Sequence, residues 1–467
     1  MGTARSASAL VCLVLLLLPP VRGQERGRTP FDAAVFRDAV RSFMTTSRAP
    51  GVAAAVVDGD RVVFAEGFGR LRADDPAPVT PDSLFQLGSL SKTMTATAIL
   101  QAVAAGRLSL DAPLSRYTDG LAPAIGALTV GALLSHVAGV EDEPDERGPQ
   151  DDDALGAHAR TLASSYVLLR PGEAFSYSNG GYALAGLALQ SAEKRPFAEL
   201  LASRVFGPLG MTSTTARPWT VASSRLAHGH RLVDDVIRVV RPIEDDARFM
   251  PAGGVVSSLN DLVRYVRAFM NGGTLDGKPV LARATLDAMM APRVEVASTG
   301  EQYGYGLFMT SEDGRHLVWH GGSMPGVTST MNVDVTNRRA VIMLVNLDGT
   351  PPIEAANLVV PLPARVTPPG PDGEAPVPES EAAAYLGAYT QPKRWTLQVS
   401  RSPEGRLVLT QFGREFVLRR TGVRRFSFQP PTSTRRLDLV FAPPVDGASP
   451  FVQFAVWTFT RQRPSSP

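Results

Sequence analysis

The sequence predicts an α+β protein: an antiparallel sheet flanked by helices, with a helical subdomain, followed by a small all-β C-terminal domain. Three observations carry this. β-type segments stand early (52–57 and 61–68) and late (316–319, 328–335 and 340–345), with helix-type segments between them, so one sheet must join the two ends. A stretch dominated by Pro, with Gly and Glu, runs from 361 to 378 and reads as a semi-rigid linker. Beyond it, short Val/Leu/Phe runs alternate with turns such as Pro403-Glu404-Gly405 and Val445-Asp446-Gly447. The expected divisions are 1–23, 30–360, 361–380 and 381–467.

The elements follow in order. Residues 1–23 carry a secretory signal: Arg5 ahead of an apolar run, a Pro19-Pro20 break, and small residues up to Gly23 for cleavage. The apolar run is too short to span a bilayer, so a secreted or periplasmic protein is expected. Residues 31–47 form an amphipathic helix, and 52–57 and 61–68 a hairpin turned at Asp58-Gly59-Asp60. Residues 93–103 are rich in Ala, Met, Ile and Leu and predict a buried helix, and 128–135 is another helical segment. Residues 141–153 are strongly acidic, contain Pro144 and Pro149, and read as a solvated loop without EF-hand spacing. Ser258-Leu259-Asn260-Asp261 opens a helix that ends at Met270, before Asn271-Gly272-Gly273.

Composition narrows the function classes. The 467 residues are 44% hydrophobic and 20% charged, with a net charge of only +2, so nothing argues for nucleic acid. Cys12 is the single cysteine and lies in the signal, which removes disulfides, thiol catalysis and cysteine-based metal sites from the mature chain. From 381 to 467 there are 13 Lys+Arg against 5 Asp+Glu. That basic balance fits either a solubilising surface or weak contact with an anionic polymer or lipid.

Gly88-Ser89-Leu90-Ser91-Lys92 is the most informative motif. Residues i and i+3 share a helix face, and a desolvated lysine can take the proton of a serine and make it a nucleophile. Spacing alone is weak: Ser191-Ala192-Glu193-Lys194 repeats it in what reads as the tail of a polar helix. Two further motifs accompany the first copy. Tyr177-Ser178-Asn179 offers a phenol for proton transfer and an amide to hold a substrate. Trp319-His320-Gly321-Gly322-Ser323 places glycines in a strand, as close approach of a backbone or ligand would need. His228-Gly229-His230 has no third ligand at convincing spacing, and no metal or cofactor is expected.

In this order, these motifs resemble the serine β-lactamase and penicillin-binding family, which includes class C β-lactamases, DD-carboxypeptidases, D-aminopeptidases and family VIII esterases. The resemblance covers roughly 31–360. It is supported by Leu133-Leu134-Ser135-His136-Val137-Ala138-Gly139, Pro251-Ala252-Gly253-Gly254 and Tyr303-Gly304-Tyr305-Gly306. It implies Ser89 as nucleophile, Lys92 and Tyr177 as proton carriers, and Asn179, His320, Gly321 and Gly322 as substrate contacts. It also implies the N–H groups of Ser89 and Ser323 as oxyanion donors, and packing for His136. Two departures stand out: His320 where Lys is common, and Gly321 where Thr is usual. Histidine is only partly charged near neutral pH, and the missing hydroxyl removes a polar contact, so a substrate carboxylate is less well held. The C-terminal segment Tyr385-Leu386-Gly387-Ala388-Tyr389 is similar to small lipocalin-like β-domains that follow some family members. Such a module would restrict the site, mediate oligomerisation or pack on the larger domain.

The expectation is an exported serine hydrolase acting through an acyl-enzyme on an ester, amide or peptide. The rivals are a β-lactamase or DD-peptidase, and a non-catalytic penicillin-binding, sensor or wall-binding protein.

Overall fold

The computed structural model describes residues 30–143, 148–241, 243, 245–363, 376–430 and 436–462. The signal segment 1–23, much of the Pro-rich linker (364–375) and positions 144–147 of the acidic stretch lie outside the described residues. The chain divides into two units. Of the first, Met1–Asp32, only 30–32 are described, as coil; the second is Ala33–Pro467.

Within the second unit, the expected first helix is α1 (Ala33–Ser47), followed by the hairpin β1 (Gly51–Asp58) and β2 (Arg61–Gly69). The late strands are β3 (Val294–Val296), β4 (Glu301–Tyr303), β5 (Phe308–Glu312), β6 (Arg315–Met324), β7 (Val327–Asp334) and β8 (Arg339–Val345). Among the described residues these eight form one antiparallel sheet in the order β2-β1-β8-β7-β6-β5-β4-β3. The early hairpin closes against the last strand, with Val52 opposite Val345 and Val57 opposite Ala340. β1 is Ala- and Val-rich because both its faces are covered. Ala53, Ala55 and Val57 belong to the main core, while Val52, Ala54 and Val56 are equally buried on the other face.

Between the two strand groups lie the helices that carry the site: α2 (Ser91–Ala104), α3 (Asn179–Glu193) and α4 (Leu259–Met270). α2 is buried on almost every side, which explains its lack of an amphipathic pattern. Its threonines satisfy their hydroxyls internally: Thr95 Oγ1 donates to Pro251 O at 2.8 Å and Thr97 Oγ1 to Thr93 O at 2.8 Å. α4 starts where the capping signal predicts, with Ser258 Oγ accepting from Asp261 N at 3.2 Å. The second Ser-x-x-Lys is the tail of α3, ending at Lys194 in the left-handed region (φ 52°), and Ser191 Oγ accepts from Thr118 Oγ1.

The C-terminal strands are β9 (Gly387–Gln391), β10 (Trp395–Arg401), β11 (Leu407–Gln411), β12 (Arg414–Val417), β13 (Arg419–Gly422), β14 (Arg425–Phe428), β15 (Leu437–Phe441), β16 (Phe451–Phe454) and β17 (Trp457–Arg461). Their order is β12-β11-β10-β9-β17-β16-β15-β14-β13. The two edge strands are joined by the single residue Leu418, so the sheet curls until it nearly closes. It has a separate core around Tyr385, Tyr389, Phe426 and Phe441. A small cluster of Phe175, Tyr177, Tyr303 and Phe308, with Trp319 and Trp457 packed on it, ties the two sheets together.

One expectation is overturned. The acidic run 141–143 is buried rather than solvated: Glu141, Asp142 and Glu143 are 8%, 0% and 7% exposed. Composition marks such a run as solvated by default. Here cations from the C-terminal sheet replace water: Arg394 Nη2 meets Asp142 Oδ2 at 2.7 Å, and Lys393 Nζ meets Glu143 Oε1 at 2.6 Å.

Candidate active site

Ser89 lies in a single 3₁₀ turn, Gly88–Leu90, immediately before α2, so the helix itself begins two residues later than Ser89. The turn needs a glycine. Gly88 has φ 54°, and a β-carbon there would lie 2.8 Å from Ser323 N. Lys92 follows on the same face and is fully buried. Its Nζ reaches Ser89 Oγ at 3.1 Å, Asn179 Oδ1 at 2.7 Å and Ala252 O at 2.9 Å. It also stands 4.7 Å from the centroid of the Tyr177 ring.

Tyr177 and Asn179 flank the N-cap of α3. Ser178 Oγ accepts from Gly181 N at 3.0 Å and donates to Glu141 O at 2.7 Å. Asn179, the first residue of the helix, donates its N–H to Asp142 Oδ1 at 2.8 Å, a favourable place for a carboxylate. With Asn179 Oδ1 taken by Lys92, the amide nitrogen donates to no protein group among the described residues. The Tyr177 ring lies against His136, with centroids 4.3 Å apart. His136 Nδ1 accepts from Ser178 N at 3.1 Å, and its Nε2 has no hydrogen-bond partner among the described residues. Burial, then the Lys92 charge, holds this ring well below its ordinary titration range, so it is a neutral packing group.

The third motif is on β6. β5 pairs with β6 only as far as Phe308 opposite Trp319, leaving 320–324 as an open edge on that side. The two-residue turn Pro325-Gly326 closes the β6–β7 hairpin on Met324 opposite Val327. By the alternation of an antiparallel ladder, the N–H groups of Gly321 and Ser323 then point out to the open edge. Gly322 cannot carry a side chain, because Leu87 O fills the space of its β-carbon. At Gly321 the nearest atom to such a carbon is Ser329 O at 3.4 Å, so a β-carbon would fit.

His320 departs from its expected partial charge. It is buried, and burial together with the Lys92 charge pushes it down to about 3, so the ring is neutral near pH 7. Its Nδ1 donates to Gly321 O at 2.6 Å, and Nε2 faces Tyr303 Oη at 3.4 Å. Both ring nitrogens therefore already have protein partners. In the histidine pair, His230 is likewise occupied: its Nε2 accepts from Ala73 N, and Nδ1 donates to Asn346 O.

A cavity of about 930 Å³ gathers these groups. Ser89, Tyr177, Asn179, His320, Gly321, Gly322 and Ser323 all line it, and Lys92 reaches Ser89 from the buried side. Its lining also includes apolar Phe308, Trp319 and Ile353. Asp142, Arg394, Val456 and Trp457 line it too, and sequence reasoning missed them. The acidic run and the basic Lys393-Arg394 pair are each visible as charge, but only the fold shows that they meet.

Residues 36–361 match the family model for Beta-lactamase. The chain is 30% identical over 319 residues to Penicillin-binding protein 4 of Amycolatopsis lactamdurans, covering 65% of this chain and 82% of that protein. It is 23% identical over 305 residues to Protein flp of Staphylococcus aureus, of whose length it spans 60%. Among solved structures, SurE with D-Leu superposes with a TM-score of 0.73 at 25% identity, over 92% of this chain and 98% of that one. D-amino acid amidase from Ochrobactrum anthropi SV3, complexed with L-phenylalanine amide, matches with a TM-score of 0.56 at 26% identity, over 67% and 91%.

Proposed function

The chain belongs to the beta-lactamase family of serine hydrolases, and from that premise we propose that it hydrolyses an ester or amide through an acyl-enzyme on Ser89. The observation that carries this reading is the placement of Lys92 Nζ among Ser89 Oγ, Asn179 Oδ1 and Ala252 O. The charged amine donates to all three oxygens, Ser89 Oγ included. Once it gives up a proton, two hydrogens can stay on the carbonyl oxygens while a lone pair faces the Ser89 O–H, the arrangement a base needs.

Ser89 Oγ attacks the substrate carbonyl carbon while its proton passes to Lys92 or Tyr177, which act as a coupled pair. The carbonyl oxygen becomes an oxyanion facing the N–H groups of Ser89 and Ser323; loss of one such donor typically costs about 10²–10³ in kcat. The proton then moves to the leaving oxygen or nitrogen, the C–O or C–N bond breaks, and the acyl group remains on Ser89. Water repeats the sequence and restores the serine.

The cavity favours a substrate without a carboxylate. His320 is neutral, Gly321 has no hydroxyl, and both arginines of the lining are engaged, Arg394 by Asp142 and Arg231 by Asp348. Its aromatic lining suits an apolar acyl group. Residues 30–360 act as the hydrolase domain, tethered by 361–380 to the β-domain at 381–467, and the protein is exported after cleavage near Gly23. Weak anionic contact through the β-domain would rely on cations other than Lys393 and Arg394, which face the acidic run.

A panel of p-nitrophenyl esters, D-amino-acid amides and a chromogenic cephalosporin, with the mature protein and Ser89→Ala, tests this reading. Ester or amide turnover that vanishes in Ser89→Ala is expected. Cephalosporin turnover at a comparable rate would move the assignment to a β-lactamase or DD-peptidase. Stoichiometric labelling of Ser89 without turnover would make the protein a binder.

A further inference from the structure

We propose that the C-terminal sheet is a working part of the catalytic centre: Arg394 and Trp457, acting through Asp142, position Asn179 and with it Lys92. The inference rests on the serine-hydrolase reading above and adds the residues that hold its second motif in place.

Asp142 is the hinge of this arrangement. Its side chain is completely buried, and a buried carboxylate is tolerated only when its oxygens are paired. Oδ2 accepts from Arg394 Nη2 at 2.7 Å and from Trp457 Nε1 at 2.8 Å. Oδ1 accepts from Asn179 N at 2.8 Å. Two donors of the C-terminal sheet and one of the larger sheet's helices therefore meet on one carboxylate. Arg394 is fixed further by a 3.2 Å bond to Glu143 O. From Asn179 the path continues through Oδ1 to Lys92 Nζ, and from there to Ser89 Oγ.

The segment just before Asn179 is held from the same side. Tyr177 N donates to Val456 O at 2.8 Å. Phe175 O accepts from Thr458 Oγ1 at 2.7 Å and from Gln453 Nε2 at 3.0 Å, and Thr458 N donates to Ser176 Oγ at 3.2 Å. Residues 175–177 thus lie on the β16–β17 hairpin as a short added strand would. Phe175 O and Tyr177 N find their partners in the C-terminal sheet, while Ser176 N donates to His136 O of the larger domain at 2.8 Å. The Tyr177 and Asn179 side chains project from a segment held between that sheet and the His136 and Glu141 contacts of the larger domain.

The test is a double-mutant cycle on the substrate that Ser89-dependent turnover identifies. Arg394→Ala should lower kcat on the order of a hundredfold, the effect of a misplaced catalytic group. Arg394→Lys, which keeps the charge on Asp142 but not the second bond to Glu143 O, should recover part of the loss. Trp457→Phe, which deletes the N–H and keeps a smaller aromatic ring at the contact, should cost several-fold and guards against an unfolded Arg394→Ala protein. In an Asn179→Ala background, adding Arg394→Ala should cost no further kcat, because its effect runs through the missing amide. Wild-type kcat in Arg394→Ala, or losses that multiply in the double variant, would overturn the proposal. Turnover that persists in Ser89→Ala would instead overturn the underlying serine-hydrolase reading.

Discussion

The carbonyl oxygen of Leu87 occupies the space that a β-carbon on Gly322 would need, so the turn before Ser89 and strand β6 touch backbone to backbone. Ser329 Oγ donates to the same carbonyl at 2.7 Å and locks the contact. This approach brings the open edge of β6 to the serine. Gly322→Ala must push the two apart, and kcat/KM should fall on the order of a hundredfold. Gly321→Ala, one residue away with room for the methyl, should retain most activity. Equal losses in the two variants, at matched Tm, would contradict the steric account.

Gly321 also offers a direct probe of substrate range. Gly321→Thr restores a hydroxyl where family members usually carry one, at a position where the fold leaves room for a β-carbon. A hydrogen bond to a charged group contributes about 1.5–3 kcal/mol, so kcat/KM for a carboxylate-bearing cephalosporin should rise about ten- to a hundredfold relative to a p-nitrophenyl ester. An unchanged ratio would mean that the missing hydroxyl does not limit carboxylate recognition.

Lys92→Ala removes the group that touches Ser89, Asn179 and Ala252 together. Acylation followed by stopped flow should slow by about 10²–10⁴-fold, as for loss of a general base. If Tyr177→Phe slows acylation more than Lys92→Ala does, the phenol is the principal base.

Acid stability should depend on Glu143. Burial pushes its carboxyl up, but hydrogen bonds from His158 and Lys393 outweigh that and hold it at about 2, against an ordinary 4.5. A depressed carboxylate adds stability that is complete above pH 4.5 and is lost as the pH falls toward 2. The Tm of Glu143→Gln should therefore lie below wild type by a steady margin above pH 4.5, and the two curves should converge on acidification. His320, held at about 3 against an ordinary 6.5, adds loss in a higher window, below pH 6.5, in both proteins alike. Parallel curves down to pH 3 would contradict the role of Glu143.

Much of the arrangement was legible in the chain. Apolar β-type and helical patterns marked β1, β2, β6, β7, β8 and the helices α1, α2 and α4, and three short motifs pointed to residues that line one cavity, whereas β3, β4, β5 and the body of α3 went unmarked. Two features were not legible, for a common physical reason. Charge in a sequence carries no statement of its surroundings. Glu141-Asp142-Glu143 looks solvated until Lys393 and Arg394, some 250 residues later, are folded against it. His320 looks partly charged until burial beside Lys92 makes it neutral. The tie between the C-terminal sheet and the Tyr177 segment was hidden for a related reason. It consists largely of bonds to main-chain groups, such as Tyr177 N to Val456 O, and these leave no mark in residue types.

The central claim is covalent attachment of substrate to Ser89, and intact-protein mass spectrometry after acid quench of a p-nitrophenyl ester reaction tests it most directly. Wild type should show a single acyl adduct that maps to Ser89 and decays with turnover, and Ser89→Ala should show neither adduct nor turnover. Undiminished turnover in Ser89→Ala, or an adduct at another residue, would contradict the account.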